Sequence, residues 1–526
     1  MASNSTSALL GHATSLSTVQ YAGLTATVVF LSILYKFSFP SMDPREPPAL
    51  KPDLPVPMIG HIIGFLRHGI DYFGILSKSH PAHTAGTLPI LNGKAYILFD
   101  IPLIQSALRH KNLTFDLLSL EFAQRVFGLS DRAMDKLWGP ERDIETSVAP
   151  ITMHRIKSAM QGENLLRMNV RALGFIAEGL NEVGKEGKKV GGLYGWLRDF
   201  MTLATSEGIY GSDNPIRGRM DLVEALWDFE NNIQPLFVGV IPHIIARKAY
   251  LAREKIQAVL VPWYLARKDQ AEDVSAIAKA RSNSSREFGM PEEEIGRIEV
   301  ALLFVATTNT IPTLYWFMVN VWLRPELVEE LCKEVLPLVK ISKDGSQRTA
   351  TLDISKLEEQ CPLMVACYRE SVRLGNQGLG TRRVIRDTIL TDSQGNERLF
   401  KAGVDVLWSA KEMHRSGDAW GNNVTDFNPD RFREENYGRT QKQAYVPFGG
   451  GKHLCPGRNF AFAENLGLMA ALVVGFRFEG LDPKDFRLGE AKFGEAVAKP
   501  PPDAQGDDVV LKRKEGWEDV EWKFVC

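Results

Sequence analysis

The chain has 526 residues, long enough for one large domain or several, and is 44% hydrophobic and 24% charged, with a formal net charge of −2. That balance leaves no electrostatic footprint for nucleic acid, which would need a concentrated basic surface. The five cysteines, Cys332, Cys361, Cys367, Cys455 and Cys526, make neither a disulfide framework nor a metal-ligand spacing with one another, as expected for a reducing compartment.

In chain order the first element is an apolar span. Val19 to Tyr35, "VQYAGLTATVVFLSILY", carries no charge and is at the short end of the ~17–25 residues that cross a bilayer as a helix. A cleaved signal peptide competes with this reading, but residues 1–18 contain no Lys or Arg for a basic n-region. Lys36, Arg45 and Lys51 all follow the span, so the positive-inside rule leaves the rest of the chain in the cytosol. We therefore expect a single transmembrane anchor at 17–39. On that topology the sequons at Asn112, Asn283 and Asn423 are accidental, because glycosylation needs the lumen.

A proline-dense hinge follows at 40–60. Proline fixes φ and removes a donor, so a semi-rigid extended spacer is expected there. Residues 61–526 read as one large domain, mainly α with small β-sheets. "GKAYILFD" at 93–100 is strand-like, helical patterns dominate from about 115 to 375, and mixed strands and loops close the chain. The Ser/Asn-rich "ARSNSSREFGMPEEE" at 280–294 reads as a surface loop.

Three segments carry chemistry. The first is "ALLFVATTNTIPTLYWFMVNVWL", Ala301 to Leu323, an apolar run interrupted by hydroxyls, an amide and a proline. A membrane or core helix is the bland reading, but the Thr307–Thr313 cluster argues for a helix that lines a cavity. Pro312 removes a donor and frees the Thr308 carbonyl, opening the helix locally. The second is Glu370 and Arg373, at i and i+3 on one helix face, where carboxylate and guanidinium can pair. Such a spacing is usually a solvated surface pair.

The third is "AYVPFGGGKHLCPGRNFA", Ala444 to Ala461. A phosphate-binding loop is excluded, because the required glycine and the Ser or Thr after the lysine are replaced by Val446 and His453. Cys455 as a small buried hydrophobe is the plain alternative. Pro447, the glycines and Pro456 suit instead a rigid turn whose backbone approaches something flat. A thiolate there, among backbone N–H groups, is a good axial ligand for haem iron. The helical run after it would set a positive dipole end beside the sulfur.

These segments resemble the cytochrome P450 family. Its haem-loop pattern F-x-x-G-x-x-x-C-x-G is met by Phe448, Gly451, Cys455 and Gly457; its E-x-x-R by Glu370 and Arg373; its P-x-R-F by Pro429, Arg431 and Phe432. With the anchor and hinge, the resemblance spans nearly the whole chain. It implies the cytochrome P450 fold, haem b as cofactor with Cys455 as the iron ligand, and Arg431 completing a buried network with Glu370 and Arg373. The haem propionates would be met by His453, by Arg382 (or Arg383 if the register slips) and by a Trp-x-x-x-Arg helix. "WGPER" supplies Trp138 and Arg142 for the last, although Pro140 sits inside it; "MHRIKSAM" at 153–160 is the alternative.

The oxygen-activating helix departs from the family pattern A/G-G-x-D/E-T-T. Ala306, Thr307, Asn309 and Thr310 align with it, so Thr310 keeps the hydroxyl and Asn309 replaces the acid. An amide exchanges no proton near neutral pH. A-T-T-N-T-I-P-T followed by an aromatic pair resembles the branch of sterol 7-alpha-hydroxylases and prostacyclin synthase, which holds both monooxygenases and an isomerase.

The resemblance thus implies a membrane-anchored haem-thiolate monooxygenase with Thr310 and Asn309 in catalytic roles, using O2 and electrons from NADPH through NADPH-cytochrome P450 reductase. Residence in the endoplasmic reticulum membrane, single-pass with the catalytic domain cytosolic, is the matching location. A haem-thiolate isomerase or dehydratase acting without reductase is the alternative; a haem sensor or electron carrier would have no use for Thr310. Lys442, Lys452 and Arg458 flank the cysteine loop as a docking face for the reductase or as ordinary solvated charges. The family places the substrate walls at 115–129, 229–246, 375–381 and 493–500. Their Phe, Leu, Val and Ile point to a lipophilic small molecule, and the style of the chain to specialised metabolism in filamentous fungi.

Overall fold

The computed structural model describes residue 25, residues 27–29 and residues 41–526 except 57, 58, 92, 493, 504 and 507. Of the expected anchor at 17–39, only Thr25 and residues 27–29 are described, as helix with Val28 and Val29 exposed; the rest of that span lies outside the described residues, as does Phe493 of the expected wall at 493–500.

The described part of the proline-rich segment is docked on the body of the fold. Residues 41–56 form no helix or strand beyond an isolated bridge between Ala49 and Thr87. Glu46 is buried beneath the segment, accepting from the Tyr96 hydroxyl at 2.6 Å and pairing with Lys94 at 2.6 Å. Leu50 packs with Ile70, Tyr72, Phe73 and Leu76 in a small apolar cluster. Proline stiffness lets the segment lie flat on the sheet at little further entropy cost.

That sheet has five strands, in the order Ala85–Ile90, Gly93–Leu98, Asp405–Ser409, Leu379–Val384, Leu113–Thr114. The expected strand at 93–100 is its second member. Antiparallel pairing sets Asp405 opposite Arg383 and Val406 opposite Arg382, and strand alternation then sends the two arginines to opposite faces. Among the described residues, two three-stranded sheets and one two-stranded sheet complete the β-structure. Helices dominate between Ile101 and Gly375.

At 280–294 the expected surface loop is instead two helices, Ala276–Glu287 and Glu292–Ile298. The polar side chains that suggested a loop are consumed internally. Ser284 donates to the Ala280 carbonyl at 2.7 Å, Ser282 to Asp269 at 2.6 Å, and Arg286 bridges buried Asp269 and Glu292. Serine tolerates a helix when its hydroxyl bonds back to the preceding turn.

The main core lies between the helix Arg458–Gly475, buried from Ala463 to Gly475, and the helix Thr310–Trp322, buried from Thr310 to Val319. The helical run Glu292–Trp322 is long and apolar enough to cross a membrane, yet most of it is inside the fold. Its hydrophobicity serves the core.

Candidate active site

The cysteine loop is clamped before it reaches the sulfur. Burial pushes the His414 imidazole down to about 3, so the ring is neutral. It bonds the Asn376 carbonyl through Nδ1 at 3.1 Å and accepts the Val446 N–H at Nε2 at 3.1 Å. Asn376 in turn donates to the Pro447 carbonyl at 3.1 Å. Gly449 and Gly451 have φ of 71° and 62°, the left-handed region that favours glycine. A Cβ on Gly451 would lie 1.9 Å from the Leu108 carbonyl oxygen. The loop closes with the Cys455 N–H on the Phe448 carbonyl at 3.0 Å. Burial raises the Cys455 thiol, while the backbone N–H groups of Gly457 and Arg458 lower it. Those two N–H groups begin the helix Arg458–Gly475, where the chain's dipole favours an anion.

Behind the loop sits the expected charge network, fully partnered. Arg373 meets Glu370 with two bonds of 2.7 Å, and Arg431 reaches the same carboxylate at 2.8 Å. The remaining donors of the two guanidinium groups go to the carbonyls of His414, Val424, Trp420, Asp426 and Asn423. Glu370 and Arg373 have no exposed side-chain surface, so this is not the solvated pair that the spacing alone suggests. A buried network of this kind holds geometry only when every member is satisfied.

Two basic side chains nearby each keep a buried nitrogen without a hydrogen-bond partner. Arg382 is buried; it bonds the Thr381 carbonyl at 2.7 Å and the Gly450 carbonyl at 3.3 Å, and its Nε has no partner. Burial drives its pKa down to about 10. His453 accepts the Phe115 N–H at 3.2 Å, but its Nδ1 is unpartnered, with the nearest Asp116 oxygen 3.6 Å off. A carboxylate-bearing group would satisfy both. Gly457 lines the other side: a Cβ there would already lie 3.9 Å from the Cys455 sulfur. These residues fit haem, its propionates toward Arg382 and His453 and its iron toward Cys455. Arg383 points away, into Asp405 and Glu121.

The expectation for Arg142 is corrected. The helix Asp131–Trp138 ends at Gly139, so Trp138 and Arg142 do not stack as i and i+4. Arg142 has a positive φ and pairs with Asp135 at 2.6 Å, its side chain 63% exposed. Lys157, from the alternative segment, instead donates to the Lys452 carbonyl from the buried-side helix Val148–Ala159 and acts electrostatically on His453.

The apolar run breaks as Pro312 suggests. One helix ends at Thr307, the next begins at Thr310, and Thr308 and Asn309 lie between them. The Thr310 hydroxyl donates to the Ala306 carbonyl at 2.9 Å and that of Thr313 to the Asn309 carbonyl at 2.8 Å. Thr308 and Asn309 open onto a cavity of about 510 Å³. Segments 115–129 and 229–246 line it, with Gly494, Glu495 and Ala496 from the C-terminal wall. Segment 375–381 lies behind: Gln377 donates to the Ala496 carbonyl at 2.9 Å.

The cavity wall is mostly apolar, with Phe115, Phe122, Phe237 and Phe304 prominent. Besides Thr308 and Asn309, its polar lining includes Glu230 and Glu495 and the buried pair Arg281–Glu299. The sequence reading held Lys157, Glu230 and Asn376 only within segments and singled out none of them, and it missed His414 and Asn465 altogether. Asn465 donates to the Thr310 carbonyl at 3.5 Å; the polar pair Glu464–Asn465 inside an otherwise apolar helix was the available signal. His414 had none, since its role depends on two distant strands of chain.

The sequence profile of the cytochrome P450 family matches residues 220–505. A cytochrome P450 monooxygenase of Gibberella zeae is 35% identical over 512 residues, 96% of this chain and 95% of that one. The cytochrome P450 monooxygenase nodJ of Hypoxylon pulicicidum is 27% identical, covering 86% of this chain and 87% of its own. A 25-hydroxycholesterol 7-alpha-hydroxylase of Rattus norvegicus is 25% identical over 51% of this chain and 66% of its own. With a haem-compatible cysteine loop and a broken, hydroxyl-bearing helix, the chain belongs to the cytochrome P450 family and is a monooxygenase of that class.

Proposed function

We propose that this enzyme oxidises a lipophilic small molecule, an intermediate of fungal specialised metabolism, with O2 and with electrons passed from NADPH by a membrane reductase. The observation that carries this reading is the break at Thr308–Asn309, which presents a hydroxyl-rich opening to a mostly apolar cavity. Haem, when bound at Cys455, supplies the iron at which dioxygen is reduced and split, a cleavage that thiolate ligation favours.

The chain's own residues do the rest. The phenylalanines of the cavity hold an apolar substrate and exclude water. Thr310 holds a proton on an oxygen anchored by the Ala306 carbonyl, and passes it on by rotating or through water. Asn309 orients by hydrogen bonding and cannot itself supply the proton. Arg382, His453 and Lys157 would hold the propionates, and the Gly457 and Arg458 N–H groups would stabilise the sulfur anion. The apolar span at 17–39 and the basic residues after it support an anchor in the endoplasmic reticulum membrane with the domain in the cytosol.

Full-length enzyme in membranes, given a reductase and NADPH, is expected to consume substrate only when both are supplied. Cys455→Ser is expected to lose the red-shifted carbon monoxide band of thiolate ligation and the activity together. Asn309 in place of an acid favours the second reading, an isomerase or dehydratase. Full turnover without NADPH would establish that reading and end the first.

A further inference from the structure

Arg281 and Ser285 lie one turn apart on the helix Ala276–Glu287, so they share a face, and both line the cavity. Glu299 lines it beside them, at the joint between the helices Glu292–Ile298 and Val300–Thr307. From Glu299 to Thr308 the run advances roughly 13 Å along its axis, so this part of the wall is well removed from the Thr308–Asn309 opening.

Glu299 is 1% exposed and meets Arg281 at a single point: its two oxygens lie 3.1 and 2.9 Å from the same Nε. A guanidinium has five N–H donors, and this pairing uses one. Among the described residues Nη1 and Nη2 bond to nothing, and neither is sealed off in the interior. The Ser285 hydroxyl is in the same condition. The residue is 6% exposed and lines the cavity, and its oxygen has no hydrogen bond among the described residues. Donors presented together on a mostly apolar wall call for an acceptor.

Charge narrows the identity of that acceptor. Arg281 is neutralised by Glu299, and the neighbouring guanidinium groups are committed, Arg155 to Glu287 and Arg286 to Asp269 and Glu292. These pairs leave no net positive charge at the fork, so a carboxylate would bring an uncompensated negative charge beside Glu299. A neutral oxygen meets the donors without that cost.

We propose that Arg281 and Ser285 form a carbonyl-recognition subsite, the Nη groups and the hydroxyl donating to the oxygen of a ketone, ester or lactone on an otherwise apolar substrate. The inference rests on the monooxygenase reading and narrows its substrate class: a lipophilic, neutral carbonyl compound, held by its oxygen at Arg281 while the rest of the skeleton reaches toward Thr308 and Asn309.

The test is a binding titration of the haem-loaded enzyme, followed by the shift of its visible absorption band, with three matched probes: methyl farnesoate, farnesene and farnesoic acid. The ester is expected to bind about tenfold tighter than farnesene, the effect of one hydrogen bond to a charged group, and tighter than the acid. Arg281→Leu combined with Glu299→Leu leaves no buried charge unpaired. It should bring the ester-to-hydrocarbon ratio close to one. Should the double variant not fold, Arg281→Lys, which keeps a cation for Glu299 but loses the planar fork, is expected to lower the same ratio severalfold. No response to the ester, equal binding of ester and hydrocarbon, tightest binding of the acid, or a ratio unmoved by the variants overturns the proposal. So does loss of haem from a folded variant, which would assign the fork to the cofactor. A missing thiolate band in the carbon monoxide complex of the unaltered enzyme would strike the haem-thiolate reading and the subsite with it; a normal band without carbonyl preference sinks the subsite alone.

Discussion

Thr310 holds its hydroxyl on the Ala306 carbonyl at 2.9 Å, at the point where the helix is broken. Removing the oxygen leaves that carbonyl without its proton-bearing neighbour, one residue from the Thr308–Asn309 opening. Thr310→Ala is expected to keep consuming NADPH while product per NADPH falls by about tenfold or more, the difference recovered as hydrogen peroxide. Unchanged coupling would show that protons arrive by another route. Side-chain direction separates the candidate propionate contacts. Lys157 acts on His453 from the helix Val148–Ala159 and donates to the Lys452 carbonyl of the cysteine loop, whereas Arg142 faces solvent with Asp135. Lys157→Ala should reduce haem retention during dialysis, and Arg142→Ala should leave it at the unaltered level; the two measured side by side check the correction.

Elements impose constraints that single residues do not reveal. The cysteine loop passes so close to the helix Ile101–Arg109 that only glycine fits at 451. Gly451→Ala adds both a left-handed backbone penalty and a collision with the Leu108 carbonyl. The expected outcome is protein with a large loss of haem content and a melting temperature several degrees lower, read by absorbance and calorimetry; normal haem content would mean the loop can move. The broken helix is tied from both sides, by Asn465 to the Thr310 carbonyl and by the Trp316 indole, which donates to the Ala498 carbonyl at 2.6 Å. Its opening is therefore held by the C-terminal wall as well as by Pro312.

Across the whole molecule, one buried acid couples stability to pH. Glu464 is fully enclosed between the helices Arg458–Gly475 and Leu193–Tyr210, with the Thr205 hydroxyl 3.0 Å from Oε1. Burial pushes its carboxyl up from 4.5 to about 8. In the unfolded chain the group ionises near 4.5, so between the two values the folded state holds the extra proton. Its stabilising effect is complete below pH 4.5 and is lost as pH rises through about 8. Glu464→Gln keeps an acceptor for Thr205 and cannot ionise. It should therefore be more stable than the unaltered enzyme at pH 8, by on the order of a few kcal/mol, with the gap shrinking at pH 5. Melting curves of both proteins at the two pH values check this; a gap independent of pH would mean that Glu464 is ionised in place.

The amino-acid sequence by itself determined the chemistry of the sulfur loop, the kinked hydroxyl-bearing helix and the Glu370–Arg373–Arg431 network. The first two, and the Glu370–Arg373 pair, are written in nearby residues whose spacing or backbone demands admit few geometries: glycines where φ is positive, a proline that removes a donor, a carboxylate one helical turn from a guanidinium; Arg431 joins from 61 residues away and was legible only through the family motif. The tertiary structure alone decided that Lys157 and not Arg142 reaches the loop, that the serine-rich stretch is helix, and that Glu230, Lys499 and Glu495 meet at one end of the cavity. Those outcomes depend on which distant segments come to share a buried volume. There desolvation turns an ordinary polar residue into one that must find a partner, a demand that local spacing does not record.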